Sequence, residues 1–105
     1  MSRLTDLPEA SIPGLGQRTL LHLQSRTIAV FNVDDTLYAI DDSCPHAGGS
    51  LLTGKLDGRM LQCPAHGLKF DLATGCMRGG GLTATTYAVA WVNNRPMIAI
   101  PEFKP

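Results

Sequence analysis

The sequence predicts an all-β domain: an antiparallel β-sandwich or barrel base drawn from both ends of the chain, and a loop-rich subdomain inserted between them.

 This expectation rests on three observations. Short runs rich in β-branched and aromatic residues, bounded by turn residues, lie near both ends. Helical periodicity is weak throughout. Nine of the eleven glycines fall between Ser43 and Leu82, where the strand pattern gives way to turns.

Taken in order, Arg18–Leu23 (RTLLHL) and Thr27–Val33 (TIAVFNV) read as a hairpin across the polar QSR. Asp34 and Asp35 make a tight turn into a third antiparallel strand, Thr36–Asp41. The insertion, about residues 43–82, holds two short strands, RMLQC and LKFDL, the second closed by the turn DLATG. Beyond it, Thr85–Val92 and Pro96–Ile100 flank NNR, where Asn93 and Asn94 tolerate unusual backbone angles. His22 alternates within an apolar strand and reads as structural or solvent-facing. Tyr87 and Trp91 lie at strand spacing, as core or sheet-surface residues.

The 105 residues suit a single domain over 1–105, with 44% hydrophobic and 17% charged residues. Nine basic and nine acidic residues cancel, with no basic footprint for nucleic acid. No apolar run reaches the roughly 20 residues that span a bilayer. The N-terminus has no apolar stretch of the kind a signal peptide carries, so the expected compartment is cytoplasmic, where thiols stay reduced. Three cysteines are too few for a disulfide framework and point instead to metal binding or reactivity.

Two stretches give that chemistry a form. DDSCPHAGGS begins at Asp41 and LQCPAHGLKF at Leu61. Together they spell C-x-H, sixteen residues, then C-x-x-H, through Cys44, His46, Cys63 and His66. Pro45 and Pro64 restrict the backbone beside each cysteine, and Gly48, Gly49 and Gly67 let it turn sharply. Two thiolates and two imidazoles suit zinc by ligand type. Zinc knuckles usually pair like ligands, however, whereas each knuckle here mixes one of each. The mixed pattern is what a two-iron, two-sulfide cluster needs when one iron takes both cysteines and the other both histidines. A cysteine nucleophile with a histidine base is a third reading, made redundant by the second matched pair.

The sequence resembles the Rieske-type [2Fe–2S] proteins, and among them the small soluble Rieske ferredoxins. The resemblance runs from VDDTLYAIDDSCPHAGGSLLTGKLDG into CPAHGLKFDLATG. It implies the Rieske fold and one [2Fe–2S] cluster, with Cys44 and Cys63 on the buried iron and His46 and His66 on the outer iron. A third loop of the family covers the cluster; here that loop is Arg78–Ala84, with three glycines and no proline, and a less constrained cover is expected. Respiratory Rieske proteins add a cysteine to each box and join the two as a disulfide, but Ala65 fills that slot in the second box and AGGS follows the first. They also place a serine and a tyrosine after the second box, where this chain has Leu68 and Phe70. With fewer hydrogen-bond donors on sulfur, the potential is expected toward the low end of a range of about −150 to +300 mV.

A filled [2Fe–2S] centre exchanges one electron and has no open position for substrate. The resemblance therefore implies an electron carrier and not an enzyme, taking electrons from a flavin-dependent reductase and delivering them to a terminal oxygenase. The alternatives are a small subunit serving the large subunit of an assimilatory NAD(P)H nitrite reductase, and a structural zinc module. The short remainder after His66 leaves no room for a mononuclear iron domain, so catalysis is expected in a partner. Cys76 reads as an ordinary strand residue, since four ligands complete the set. Asp34, Asp35, Asp41 and Asp42 read first as turn residues and second as a docking patch for a reductase.

Overall fold

The computed structural model describes residues 2–23, 26–43, 50–64, 67–77 and 79–101. Among the described residues ten strands follow in chain order: β1 (Ser2–Asp6), β2 (Arg18–Leu23), β3 (Arg26–Val33), β4 (Thr36–Asp41), β5 (Lys55–Asp57), β6 (Met60–Gln62), β7 (Lys69–Asp71), β8 (Thr86–Tyr87), β9 (Val89–Val92) and β10 (Arg95–Pro101). A 3-10 turn at Glu9–Ser11 precedes β2. No helix among the described residues is long and apolar enough to cross a membrane.

The strands form three antiparallel sheets, ordered β1-β10-β9, β2-β3-β4-β8 and β5-β6-β7. The first two are the base, made from both ends of the chain, and the third is the inserted subdomain. Alternation along β3 explains how they stack. Ile28 and Val30 join a core with Leu7, Leu21, Ile98 and Ile100. Ala29 and Phe31, on the opposite face, join a second core with Leu51, Leu61, Cys63 and Phe70. The middle sheet is thus covered on both sides, and each fully buried Phe or Ile contributes roughly 1.5–3 kcal/mol.

The turns behave as the residues dictate. Asp34 and Asp35 have φ of 51° and 68°, and Asn93 and Asn94 have 52° and 64°. Successive left-handed residues make the hairpin turn that matches strand twist, and Asp and Asn accept it more readily than other non-glycine residues. Asp35 N–H also donates to Asn32 Oδ1 at 3.0 Å.

Three elements differ from the expectation. β1 has a single large apolar residue, Leu4, and that residue is half exposed; its place comes from backbone pairing with β10, from Ser2↔Pro101 to Asp6↔Met97. β5 is three residues long with Leu56 between two charges, too short to show alternation. The expected strand Thr85–Val92 breaks at Ala88, because β8 pairs with β4 while β9 pairs with β10. That run switches sheets and so ties the two halves of the base together. Tyr87 before the break is buried, its hydroxyl accepting from Arg26 Nη1 at 3.1 Å, while Trp91 after it is 58% exposed.

Candidate metal centre

Cys63 stands where β6 ends and the second box begins. Its amide donates to Leu68 O at 2.7 Å, and its carbonyl accepts from Gly67 N–H at 3.0 Å. Those two bonds close a tight loop whose exit needs a left-handed residue, supplied by Gly67 at φ 71°. β6 and β7 continue as a hairpin with Gln62 opposite Lys69. The Cys63 thiol is 1% exposed and free of any disulfide.

The first box leaves the base after Asp42 and returns at Ser50. Ser43 and Ser50 pair as an antiparallel bridge, which fixes the two ends of the intervening segment side by side. Asp42 clasps them. Its carboxylate accepts from Ser50 Oγ at 2.9 Å, Leu51 N–H at 3.0 Å and Leu52 N–H at 2.8 Å. Its own N–H donates to Thr27 O at 2.9 Å, anchoring the clasp to β3.

From the other side, Arg18 on β2 donates through Nη1 to Leu52 O at 2.7 Å and Gly54 O at 2.5 Å. Its guanidinium lies 5.1 Å from the centre of the Phe31 ring. The limb so held is pressed against β6. A Cβ on Gly54 would collide with the Gln62 carbonyl and come within 2.9 Å of Leu61 Cδ1. The returning limb of the first box and the strand leading into the second therefore touch.

The third loop is a small hairpin. Phe70 bridges Met77, Cys76 bridges Thr83, and Met77 N–H donates to Leu82 O at 3.1 Å. Gly75, at φ 79°, lies so close to the Ala84 carbonyl that no side chain fits there. Met77 and Leu82 pack on the core that holds Cys63, so apolar side chains anchor the limbs of this loop. Cys76 is exposed, as an ordinary edge residue would be, and its thiol is free.

Of the four residues singled out as ligands, Cys63 is described; Cys44, His46 and His66 lie outside the described residues, as do Gly48, Gly49, Ala65 and Arg78. No group of three metal-ligating side chains forms among the described residues. His22 is exposed, with Nδ1 3.3 Å from Thr27 Oγ1. Leu68 is half-buried and Phe70 fully buried, and neither carries a hydroxyl.

Two carboxylates near these loops titrate unusually. Burial pushes Asp41 up, Arg26 opposes that shift and Asp42 adds to it. Burial also pushes Asp71 up, but the Ala73 amide and the Arg59 guanidinium outweigh it and hold the carboxyl below the ordinary range. Arg59 meets Asp71 with two nitrogens, at 2.8 Å and 3.1 Å. Sequence reading assigned Asp42 to turn chemistry and did not assign Arg18 at all. An aspartate two residues before Cys44, the first of the expected ligands, was the available signal for the clasp; nothing local announced the arginine.

Known proteins resemble this chain in sequence and in fold. A family profile described as "Rieske [2Fe-2S] domain" matches residues 4–91. The ferredoxin component of the naphthalene 1,2-dioxygenase/salicylate 5-hydroxylase systems of Ralstonia sp is 33% identical, over 90% of this chain and 88% of its own. The 3-phenylpropionate/cinnamic acid dioxygenase ferredoxin subunit of Shigella boydii serotype 4 is 35% identical, with both chains covered completely. A solved complex of reduced oxygenase and oxidized ferredoxin in carbazole 1,9a-dioxygenase contains a chain of the same fold, with a TM-score of 0.78 and 26% identity over 96% of this chain and 97% of that one.

Proposed function

The chain belongs to the Rieske [2Fe–2S] family, and from that footing we propose that it carries single electrons from a flavin-dependent reductase to a terminal oxygenase. It is an electron-transfer component and not itself a catalyst. It binds one Rieske-type [2Fe–2S] cluster, which supplies reversible one-electron exchange. The residues described suit that group. Cys63 offers a buried thiol, free of any disulfide, at the tip of a hairpin, and the limb returning from the first box is packed against the same hairpin.

In this reading Cys44 and Cys63 hold the inner iron and His46 and His66 the outer one. The near-complete burial of Cys63 supports its place on the inner side. What the chain's own residues do is position and insulate. Asp42 and Arg18 fix the first loop to the base, Gly67 closes the second, and Phe70, Leu51 and Leu61 keep water from the sulfur ligand. The compartment proposed is the cytosol, where reduced thiols are available for cluster assembly.

The observation that carries the oxygenase reading is the end-to-end match to a dioxygenase ferredoxin subunit. It favours an oxygenase as acceptor over a nitrite reductase large subunit. Anaerobic purification should yield iron and acid-labile sulfide in equal amounts, with the visible and EPR spectra of a histidine-ligated cluster. A reductase and a terminal oxygenase encoded beside its gene should turn over together only when this protein is added. Zinc without sulfide would defeat the cluster assignment; turnover without the protein would defeat the carrier assignment.

A further inference from the structure

Beside Cys63 lies an open cleft of about 390 Å³, lined by Thr53, Lys55, Gln62, Cys63, Pro64 and Gly67. Its polar side chains are a hydroxyl, an ammonium and a carboxamide, all able to donate hydrogen bonds, and no carboxylate lines it. By contrast, the cleft at the far hairpin mixes signs, with Asp6, Glu9 and Arg95.

Strand register extends the positive charge. Lys55 pairs with Gln62, and Gln62 with Lys69, so the three side chains form one row on the outer face of the insertion sheet. Leu56, Leu61 and Phe70 point the other way, into the core. Two residues further from Cys63 the same face carries Asp57, Met60 and Asp71. Asp71 is already engaged by Arg59. Among the described residues that is the ion pair, and neither lysine shares in one. The face is thus positive at the end beside Cys63 and negative at the other.

The acidic residues that lead into the first box are less available. Asp42 spends its carboxylate on Ser50, Leu51 and Leu52, and Asp41 is half-buried. We propose that the Thr53–Lys55–Gln62 cleft, flanked by Lys69, is a docking subsite for a carboxylate side chain on an acidic surface of a partner redox protein. Seated there, the partner covers Pro64 and Gly67, the residues on either side of Ala65 and His66. The lysine row offsets the repulsion between an acidic partner and a reduced cluster, which carries one more negative charge than the oxidised form. The inference rests on the electron-carrier reading above.

The test uses the dithionite-reduced holoprotein and two small oxidants of opposite charge, ferricyanide and tris(1,10-phenanthroline)cobalt(III), in stopped flow. Each oxidant molecule takes one electron from one protein. Ferricyanide oxidation should slow as salt is raised, and Lys55→Glu/Lys69→Glu should slow it about tenfold at low salt while speeding oxidation by the cobalt complex. Hexaglutamate should inhibit ferricyanide oxidation of the wild type and not of the double variant. Arg95→Glu, a charge reversal on the outer sheet, should leave both rates within about twofold. A ferricyanide rate that rises with salt, or that the double reversal leaves unchanged, overturns the proposal. Should the double variant lose its cluster, the wild-type salt dependence and the hexaglutamate competition still decide. A protein with no [2Fe–2S] spectrum defeats the carrier reading instead, before any rate is measured.

Discussion

Arg18 and Leu52 are 34 positions apart, yet the guanidinium of the first donates to the carbonyl of the second at 2.7 Å. One side chain thereby joins a base strand to the limb returning from the first ligand box, and its second bond, to Gly54 O, extends the hold to the point where that limb meets β6. Hydrogen bonds from charged donors contribute about 1.5–3 kcal/mol each, discounted here because the side chain is half exposed. Arg18→Ala should lower the unfolding midpoint and shorten the lifetime of the cluster under chelator. Arg18→Lys should restore only part of either, since an ammonium can serve the two carbonyls that Nη1 alone reaches but cannot stack on Phe31 as the planar guanidinium does. Thermal unfolding and the decay of visible absorbance check both.

Asp42 presents a sharper case. Asp42→Ala deprives the Leu51 and Leu52 amides of their carboxylate acceptor, at a cost of about 1–3 kcal/mol. Asp42→Asn keeps one carbonyl oxygen and should fall between. The expected order of iron retained after anaerobic desalting is wild type, Asn, Ala. Full iron retention in the alanine variant would remove the clasp from the account of the site.

The Arg59–Asp71 pair predicts an acid limb of stability. The folded-state pKa of Asp71 lies below its ordinary value of 3.8. Its contribution is therefore fully present above that ordinary value and is lost as pH falls through the lower, folded one. Asp71→Asn should flatten the fall in unfolding free energy below about pH 4, and leave the slope near neutrality unchanged. Denaturant titrations across that window test it. Asp41 works in the opposite sense: its raised pKa makes the charged form a liability in the fold, relieved as pH falls.

The cluster potential should lie toward the low end of the span from about −150 to +300 mV, because Leu68 and Phe70 bring no hydroxyl to the sulfur atoms. Leu68→Ser is the informative substitution. Its backbone already meets Cys63, the Leu68 carbonyl accepting the cysteine amide at 2.7 Å, and its half-buried side chain leaves a small replacement tolerable. A redox titration should find the serine variant at a more positive potential than the wild type.

The base was legible in the sequence because its signals are local. Asp34–Asp35 and Asn93–Asn94 sit between apolar runs, and such pairs mark hairpins without reference to anything distant. Strand β1 carried no such mark, since its position depends on β10, at the other end of the chain. The break at Ala88 was hidden for the same reason: Tyr87 and Val89 belong to different sheets, a property of their partners Ala39 and Ile98. At the site, the types and spacing of Cys44, His46, Cys63 and His66 pointed to the cofactor class that the family match supports. The clasp of Asp42 on residues eight to ten positions later, and the reach of Arg18, required the folded chain.

Strand β3 gives Ile28 and Val30 to one hydrophobic layer and Ala29 and Phe31 to the other, so neither layer can loosen without disturbing a wall it shares. Loosening of the inserted sheet around Leu51, Leu61 and Phe70 should therefore be felt through β3 at Leu21, Ile98 and Ile100 on the far side, so that the insertion and the base open together and not one after the other.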